Sequence, residues 1–356
     1  MSRFFSRNFA ALTPYTPGEQ PQDKTYIKLN TNESPFPPSA RAQAMATKAA
    51  AHLELYPDPT CRVLRERLGA LHGLTADEVI VTNGSDEVLS FAFMAYGDNG
   101  VMFPDITYGF YRVFAELYRL PYTEVPLKED FTIDVEDYKG RQETVFIANP
   151  NAPTGIPLSV AQIEEIVASN PDRIVVVDEA YVDFGGESCV SLVTKYDNLL
   201  VTGTFSKSRS MAGARLGFGF ACPALIADLE TLRYSTNPYN INRLTMAAGL
   251  GQLAEEEETR RNCRTIVDNR GYTTVRLSEM GFDVLPSAAN FVFATHPAID
   301  GKELYLRLKD KGILVRHFAT KRLSKYNRIT IGSREQMDAL LTAVKDILEE
   351  SSLCEV

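Results

Sequence analysis

The chain is poor in the residues that build metal centres and disulfide frameworks. Its five cysteines, Cys61, Cys189, Cys222, Cys263 and Cys354, are odd in number and never fall in a CxxC spacing, so they read as reduced, inert thiols. The four histidines, His52, His72, His296 and His317, share no HxxxH or HExxH spacing, and no structural metal is expected. Basic charge is short as well. Against 46 Asp and Glu there are 37 Lys and Arg, for a formal net charge of −9, which argues against a nucleic-acid or anionic-membrane surface and requires any anion site to be built locally. No run approaches the roughly 20 apolar residues of a membrane span, and Met1 to Phe9 contains no apolar core of signal-peptide length. The expectation is a cytoplasmic chain that meets neither membrane nor nucleic acid.

What is present is ample for a large core. A length of 356 residues suggests about two domains, and nothing in it is repetitive or biased toward disorder. Thr13-Pro-Tyr-Thr-Pro-Gly18 and Ser34-Pro-Phe-Pro-Pro38 read as an extended arm. Short apolar strands then alternate with amphipathic helices: Glu78 to Thr82, Gly100 to Phe103, Thr144 to Ala148, Ile174 to Asp178 and Leu199 to Gly203. That alternation is the signature of a mainly parallel, helix-covered sheet. The charged stretch Ala254 to Arg261 reads as a solvated helix linking to a smaller C-terminal domain. In that domain Asn290 to Ala294 and Arg328 to Ile331 look like antiparallel strands, and Gly301 to Lys311 and Gln336 to Glu349 like helices. The expected organisation is α/β: residues 1–38 as an arm that also contributes to the small domain, 39–255 as the large domain and 256–356 as the small α+β domain.

The chemistry concentrates where the apolar strands end. Thr204-Phe-Ser-Lys207 closes the strand that begins at Leu199. A lysine in so buried a setting has its pKa lowered, as an amine needs to form a Schiff base with an aldehyde. Thr204, Ser206 and Arg215 are placed to hold a phosphate, and together they look like a pyridoxal-phosphate lysine site. Alone, one lysine after one strand is no more than a common surface charge. Upstream, Arg173-Ile-Val-Val-Val-Asp178 reads as a buried parallel strand whose terminal carboxylate faces the ligand crevice. There Asp178 would pair with a protonated pyridine nitrogen and keep the ring an electron sink, and Tyr181 would hydrogen-bond the ring's phenolic oxygen. Glu78 to Thr82 runs through Asn83-Gly84-Ser85-Asp86 into an apolar helix. Strand, glycine turn and helix N-terminus make an anion cradle, although a plain helix cap at Ser85 or Asp86 would leave the same sequence.

These motifs, Asp178-Glu-Ala-Tyr181, Ser206-Lys207 and Ala212-Gly-Ala-Arg215, resemble the fold-type I pyridoxal-phosphate aminotransferases, and within them the histidinol-phosphate aminotransferase branch. The resemblance runs from Leu29-Asn-Thr-Asn-Glu-Ser-Pro35 to Asn327-Arg-Ile-Thr-Ile-Gly332. It implies a fold-type I transferase with pyridoxal 5′-phosphate on Lys207, with Gly84, Ser85 and Asp86 under its phosphate and Tyr108 stacked on its ring. Tyr56 is implied to reach the phosphate from a partner subunit, so that a homodimer shares its active sites. Arg328 and Arg316 are implied to bind the anionic end of the substrate, and Tyr15 to gate it. In Asn149-Pro-Asn-Ala-Pro-Thr-Gly155 the chain departs from the family pattern, because Ala152 stands where an asparagine binds the ring oxygen. Either Asn151 supplies that bond, which is the expectation, or Tyr181 acts alone. The implied reaction transfers an amino group from a small-molecule donor, histidinol phosphate, to a 2-oxo acid, 2-oxoglutarate, in histidine biosynthesis. An aromatic-amino-acid aminotransferase, a threonine-phosphate decarboxylase and a non-catalytic cofactor-binding regulator are the rivals. The last would need an added DNA-binding module, for which the chain has neither length nor a basic patch.

Overall fold

The computed structural model describes residues 2–354. The Pro-containing arm holds a 3₁₀ turn at Arg7–Phe9 and leads into the two-residue strand β1 (Ile27–Lys28). Seven strands then build one sheet: β2 (Val79–Thr82), β3 (Val101–Pro104), β4 (Tyr122–Val125), β5 (Thr144–Ala148), β6 (Val175–Asp178), β7 (Leu199–Thr204) and β8 (Gly217–Phe220). Their spatial order is β2-β8-β7-β6-β5-β3-β4. Neighbours are parallel except at β8, which runs antiparallel to both β2 and β7.

The central strands are apolar at nearly every position because helices cover both faces. In β6, Val175 and Val177 join Ile163 and Ile166 of the helix Val160–Ser169 on one face. Val176 joins Phe93 of the helix Ser85–Tyr96 and Leu229 of the helix Pro223–Thr236 on the other. Each such valine contributes on the order of 1.5–3 kcal/mol by leaving water. Asp178 interrupts the run only at its carboxyl end, in register with Ala148 of β5 and Thr202 of β7. A carboxyl at that depth must be hydrogen-bonded, and the register supplies a hydroxyl beside it.

The helix Glu256–Glu279, 24 residues long, spans about 36 Å at the usual rise and carries the chain to a second sheet. This helix reaches well beyond the charged stretch that the sequence marks, since its later turns bury Ile266, Thr273 and Leu277 and so lose the solvated pattern. The second sheet comprises β9 (Asp283–Val284), β10 (Phe291–Thr295), β12 (Arg316–His317) and β13 (Tyr326–Thr330), antiparallel throughout in the order β12-β13-β10-β9. The short β11 (Ile313–Leu314) pairs instead with β1, in parallel. Through that pairing Leu29 enters the core formed by Val292, Leu304, Leu308, Ile329 and Leu340. The segment 27–33 is thus a strap held by the C-terminal part of the chain. Cys61, Cys189, Cys222 and Cys263 are free thiols, and the Cys354 side chain lies outside those described. Among the described residues no helix is long and apolar enough to cross a membrane, and no three His, Cys, Asp or Glu side chains are grouped as a metal site.

Candidate active site

The carboxyl ends of β5, β6 and β7 open on one crevice, where ligands of parallel sheets bind. A cavity of about 390 Å³ there is lined by Ser85, Asp86, Tyr108, Asp178, Tyr181, Thr204, Ser206, Lys207 and Arg215, among others. Nine residues scattered over 131 positions of sequence, from Ser85 to Arg215, therefore meet at one place.

Lys207 lies three residues beyond β7. Its Nζ donates to the carbonyl of Thr31 in the strap at 3.1 Å and stands 5.8 Å from the centre of the Tyr181 ring. Asp178 is buried at the cavity floor. Tyr111 Oη donates to its Oδ2 at 3.2 Å and Thr202 Oγ1 to its Oδ1 at 3.3 Å. Burial, and then the charge of Asp86, push the Asp178 carboxyl up to about 6, against the pull of those two hydrogen bonds. A cation brought next to it would restore the fully ionised form.

Opposite this floor is a polar rim. Gly84 turns with φ +77°, and a Cβ there would stand 2.6 Å from Arg215 Nη2. Gly217 lets β8 pass against the turn, since a Cβ on it would meet Ser85 N at 2.2 Å. The helix Ser85–Tyr96 therefore starts at the cavity, where its first N–H groups lack intrahelical partners. Asp86 accepts from Tyr108 Oη at 2.6 Å and pairs with Arg215 Nη2 at 3.2 Å. Thr204 Oγ1 donates to Ser206 Oγ at 2.9 Å and accepts from Ser206 N at 3.1 Å. Hydroxyls, a guanidinium and helix N–H groups at one end, a buried carboxyl at the other and an amine on the wall fit a flat cofactor that carries a phosphate and a basic ring nitrogen.

A second cavity, about 770 Å³, shares Thr31, Tyr108, Ala152, Tyr181 and Lys207 with the first and adds Tyr15, Asn32, Arg316 and Arg328. Arg328, in β13, is half-buried with Nε sealed from solvent and without a partner, while Nη2 donates to the carbonyl of Asn30 at 3.1 Å. Burial holds its guanidinium below the ordinary value. Arg316 donates only long bonds, to the carbonyls of Pro17 at 3.4 Å and Thr16 at 3.3 Å. Tyr15 packs on Phe110 with ring centres 4.4 Å apart.

Two expected site residues stand apart from these cavities. Asn151 is buried with its amide engaged by its own loop and by the segment after β3: it donates to Thr154 Oγ1 at 3.2 Å and Ile106 O at 2.9 Å, and accepts from Thr107 Oγ1 at 2.8 Å. The neighbouring Ala152, not Asn151, faces the cavity. Tyr56 is 78% exposed and stacks on Tyr239 at 4.5 Å, on the surface. Conversely, sequence reasoning missed Tyr111 and Thr202, which hold Asp178, and Thr31 and Asn32 of the strap. Tyr108 precedes the helix Phe110–Tyr118 that carries Tyr111, and the two rings meet edge to face with centres 5.7 Å apart; Thr202 is found only from strand register.

The chain is similar to known proteins over nearly its whole length. The model of the family "Aminotransferase class I and II" matches residues 24–344. A histidinol-phosphate aminotransferase from Brachyspira hyodysenteriae is 46% identical over 353 residues, covering 98% of this chain and 100% of the relative. One from Marinomonas sp. is 48% identical with the same coverage. Among solved structures, the histidinol-phosphate aminotransferase of Sinorhizobium meliloti in complex with pyridoxal-5′-phosphate superimposes with a TM-score of 0.89 at 22% identity, over 98% of this chain and 99% of that one. With the family match running through both sheets and full-length relatives at such identity, the chain belongs to the class I and II aminotransferase family and is a transaminase of fold type I.

Proposed function

We propose that this protein moves the amino group of L-histidinol phosphate to 2-oxoglutarate, giving imidazole-acetol phosphate and glutamate in histidine biosynthesis, with pyridoxal 5′-phosphate in a Schiff base on Lys207. The observation that carries the substrate reading is Arg328. A cation with a sealed, unpartnered Nε opens onto the same cavity as Lys207, and such a group calls for an anionic partner. The names of the relatives at 46% and 48% identity support histidinol phosphate as the donor. The cofactor reading is supported by the fit of the smaller cavity.

Bound there, pyridoxal phosphate supplies an electron sink for the bond broken at the substrate's Cα. The chain's own groups do the rest. Ser85, Thr204, Ser206, Arg215 and the helix N–H groups by Gly84 and Asp86 hold the phosphate, Tyr108 packs on the ring, and Asp178 keeps the ring nitrogen protonated. Tyr181 donates to the ring oxygen. With the cofactor bound, the Lys207 amine would take the proton from the substrate's Cα and give it back, serving as both base and acid. Arg328 and Arg316 clamp the substrate phosphate while Tyr15 and the strap exclude water. Leu53, Leu55, Tyr56, Val63, Tyr234 and Tyr239 are all exposed, an apolar surface of the kind that a second subunit covers. We read the enzyme as a cytoplasmic homodimer in which Tyr56 reaches the partner's phosphate site.

The test is a panel of amino donors with 2-oxoglutarate and the holoenzyme. Histidinol phosphate should exceed histidinol, phenylalanine and tyrosine in kcat/KM by at least about a hundredfold, since a site built for an anion is left unpaired by a donor without one. If phenylalanine or tyrosine wins, the arginines read an α-carboxylate and the enzyme is an aromatic-amino-acid aminotransferase.

A further inference from the structure

We propose that Asn32 is a positioning residue for Tyr181, holding the phenol so that its proton points to the cofactor rather than into the protein. This rests on the cofactor reading above. Asn32 is buried in the strap at φ +56°. Its backbone N–H donates to Thr330 Oγ1 at 3.0 Å, and the Thr330 hydroxyl donates back to Asn32 Oδ1 at 3.0 Å. This exchange fixes Oδ1 as the acceptor end of the amide, so the other end, Nδ2, is the donor that meets Tyr181 Oη at 3.0 Å. A phenol oxygen that accepts this bond keeps its own proton for another partner, and donates it more strongly. Among the described residues none accepts that proton, and Tyr181 lines the cofactor cavity.

The facing loop gives Tyr181 no help. Ala152 has no polar side chain, and the Asn151 amide is engaged elsewhere. The strap connects further groups. Its consecutive carbonyls at Asn30 and Thr31 accept from Arg328 and Lys207, and Asn290 Nδ2 donates to Asn32 O at 3.0 Å. One segment therefore sets the substrate arginine, the lysine and, through Asn32, the tyrosine. The charged groups that face Tyr181, Lys207 and Arg328, are the same in every variant below.

The experiment reads the pH midpoint of the visible absorbance of the cofactor-loaded protein. Asn32→Gly suits the left-handed backbone and keeps both main-chain hydrogen bonds while removing the amide. A weaker donor at the ring oxygen leaves more negative charge beside the lysine-bound nitrogen, so the midpoint should rise, by roughly half to one pH unit. Tyr181→Phe should move it in the same direction, and Asn32→Gly should then add nothing. The proposal is overturned by additive shifts in the double variant, by an unmoved midpoint in Asn32→Gly, or by a midpoint that falls there, which would mean that the phenol donates to residue 32. Absence of any lysine-bound visible band in the parent would instead sink the cofactor reading, and this proposal with it.

Discussion

The two ends of the active site are built by different means. At the end proposed for the cofactor, Asp178, Thr204, Ser206 and Lys207 sit on or just beyond the ends of central strands, and the first three are hydrogen-bonded to neighbouring side chains or to each other. At the end proposed for the substrate, Arg328, Arg316 and Tyr15 come from a second sheet and an extended arm, and the guanidinium donors reach only main-chain carbonyls of the strap and the arm, or nothing. The first end is organised before any ligand arrives; the second is left with cationic capacity to be filled. That division suits an enzyme that keeps one cofactor and must accept two substrates in turn.

If it is right, losses at the rigid end should be catastrophic for turnover and indifferent to the choice of donor. Lys207→Ala should lower kcat by at least about three orders of magnitude with every donor, since the attachment point and the proton shuttle are one group. Borohydride reduction and peptide mapping of the parent should place the pyridoxyl label on Lys207, and a label on another lysine ends the assignment. Asp178→Ala should cost about 10²–10³-fold in kcat while the cofactor colour remains, because the lysine is untouched. Near-normal turnover would reduce Asp178 to a structural carboxyl.

At the open end the losses should be smaller and donor-dependent. A charge-assisted hydrogen bond to Arg328 is worth about 1.5–3 kcal/mol, so Arg328→Ala should raise KM for histidinol phosphate about 10–100-fold and leave KM for unphosphorylated histidinol almost unchanged. Arg316→Ala should do the same more weakly, because its guanidinium stays closer to water. Equal losses with both donors would show that the arginines shape the cavity rather than read the anion, and the contrast between the ends would collapse.

Legibility in the sequence divides along the same line. Five of the seven strands of the large sheet are legible because buried strands are continuous apolar runs, which makes Asp178 stand out at the end of one and Lys207 just beyond another; the largely exposed β4 and the Gly-Phe-Gly-Phe strand β8 lack such a run. The glycine turn between strand and helix marks Gly84 and Ser85 no more than a helix cap would, and only the family resemblance singles them out. The limits lie where side chains meet without a period to announce it. Thr202 faces Asp178 through strand register, and Asn32 meets Tyr181 across 149 positions; neither leaves a local trace. Asn151 misled for a related reason, since an asparagine beside Pro-Thr-Gly looks available until the carbonyl of Ile106 and the hydroxyls of Thr107 and Thr154 are found around it. Arg328 and Arg316 were suggested by family resemblance and not by any pattern of their own.

The smallest expected effect on turnover concerns a group behind the rigid end. Glu179 is buried next to Asp178 and holds the loop after β6, accepting from Cys189 N and from Ser188 Oγ, each at 2.6 Å. Burial pushes its carboxyl from the ordinary 4.5 up to about 7, with those hydrogen bonds pulling the other way. The folded protein thus keeps a proton that the unfolded chain has lost between these values. The stabilisation is complete below about pH 4.5 and is lost as pH rises through about 7, by up to about 3 kcal/mol. Glu179→Gln fixes the neutral form and should remove this contribution. Urea unfolding of the apoprotein at pH 5 and pH 8 should therefore show a fall in parent stability that exceeds the fall in Glu179→Gln by that amount, the Asp178 contribution being common to both. At pH 8 kcat should change less than about threefold, because Gln retains an acceptor for Cys189 N. Parallel losses of stability in the two proteins would mean that Glu179 is ionised throughout and that the loop under the cofactor end is held by charge, not by a buried neutral acid.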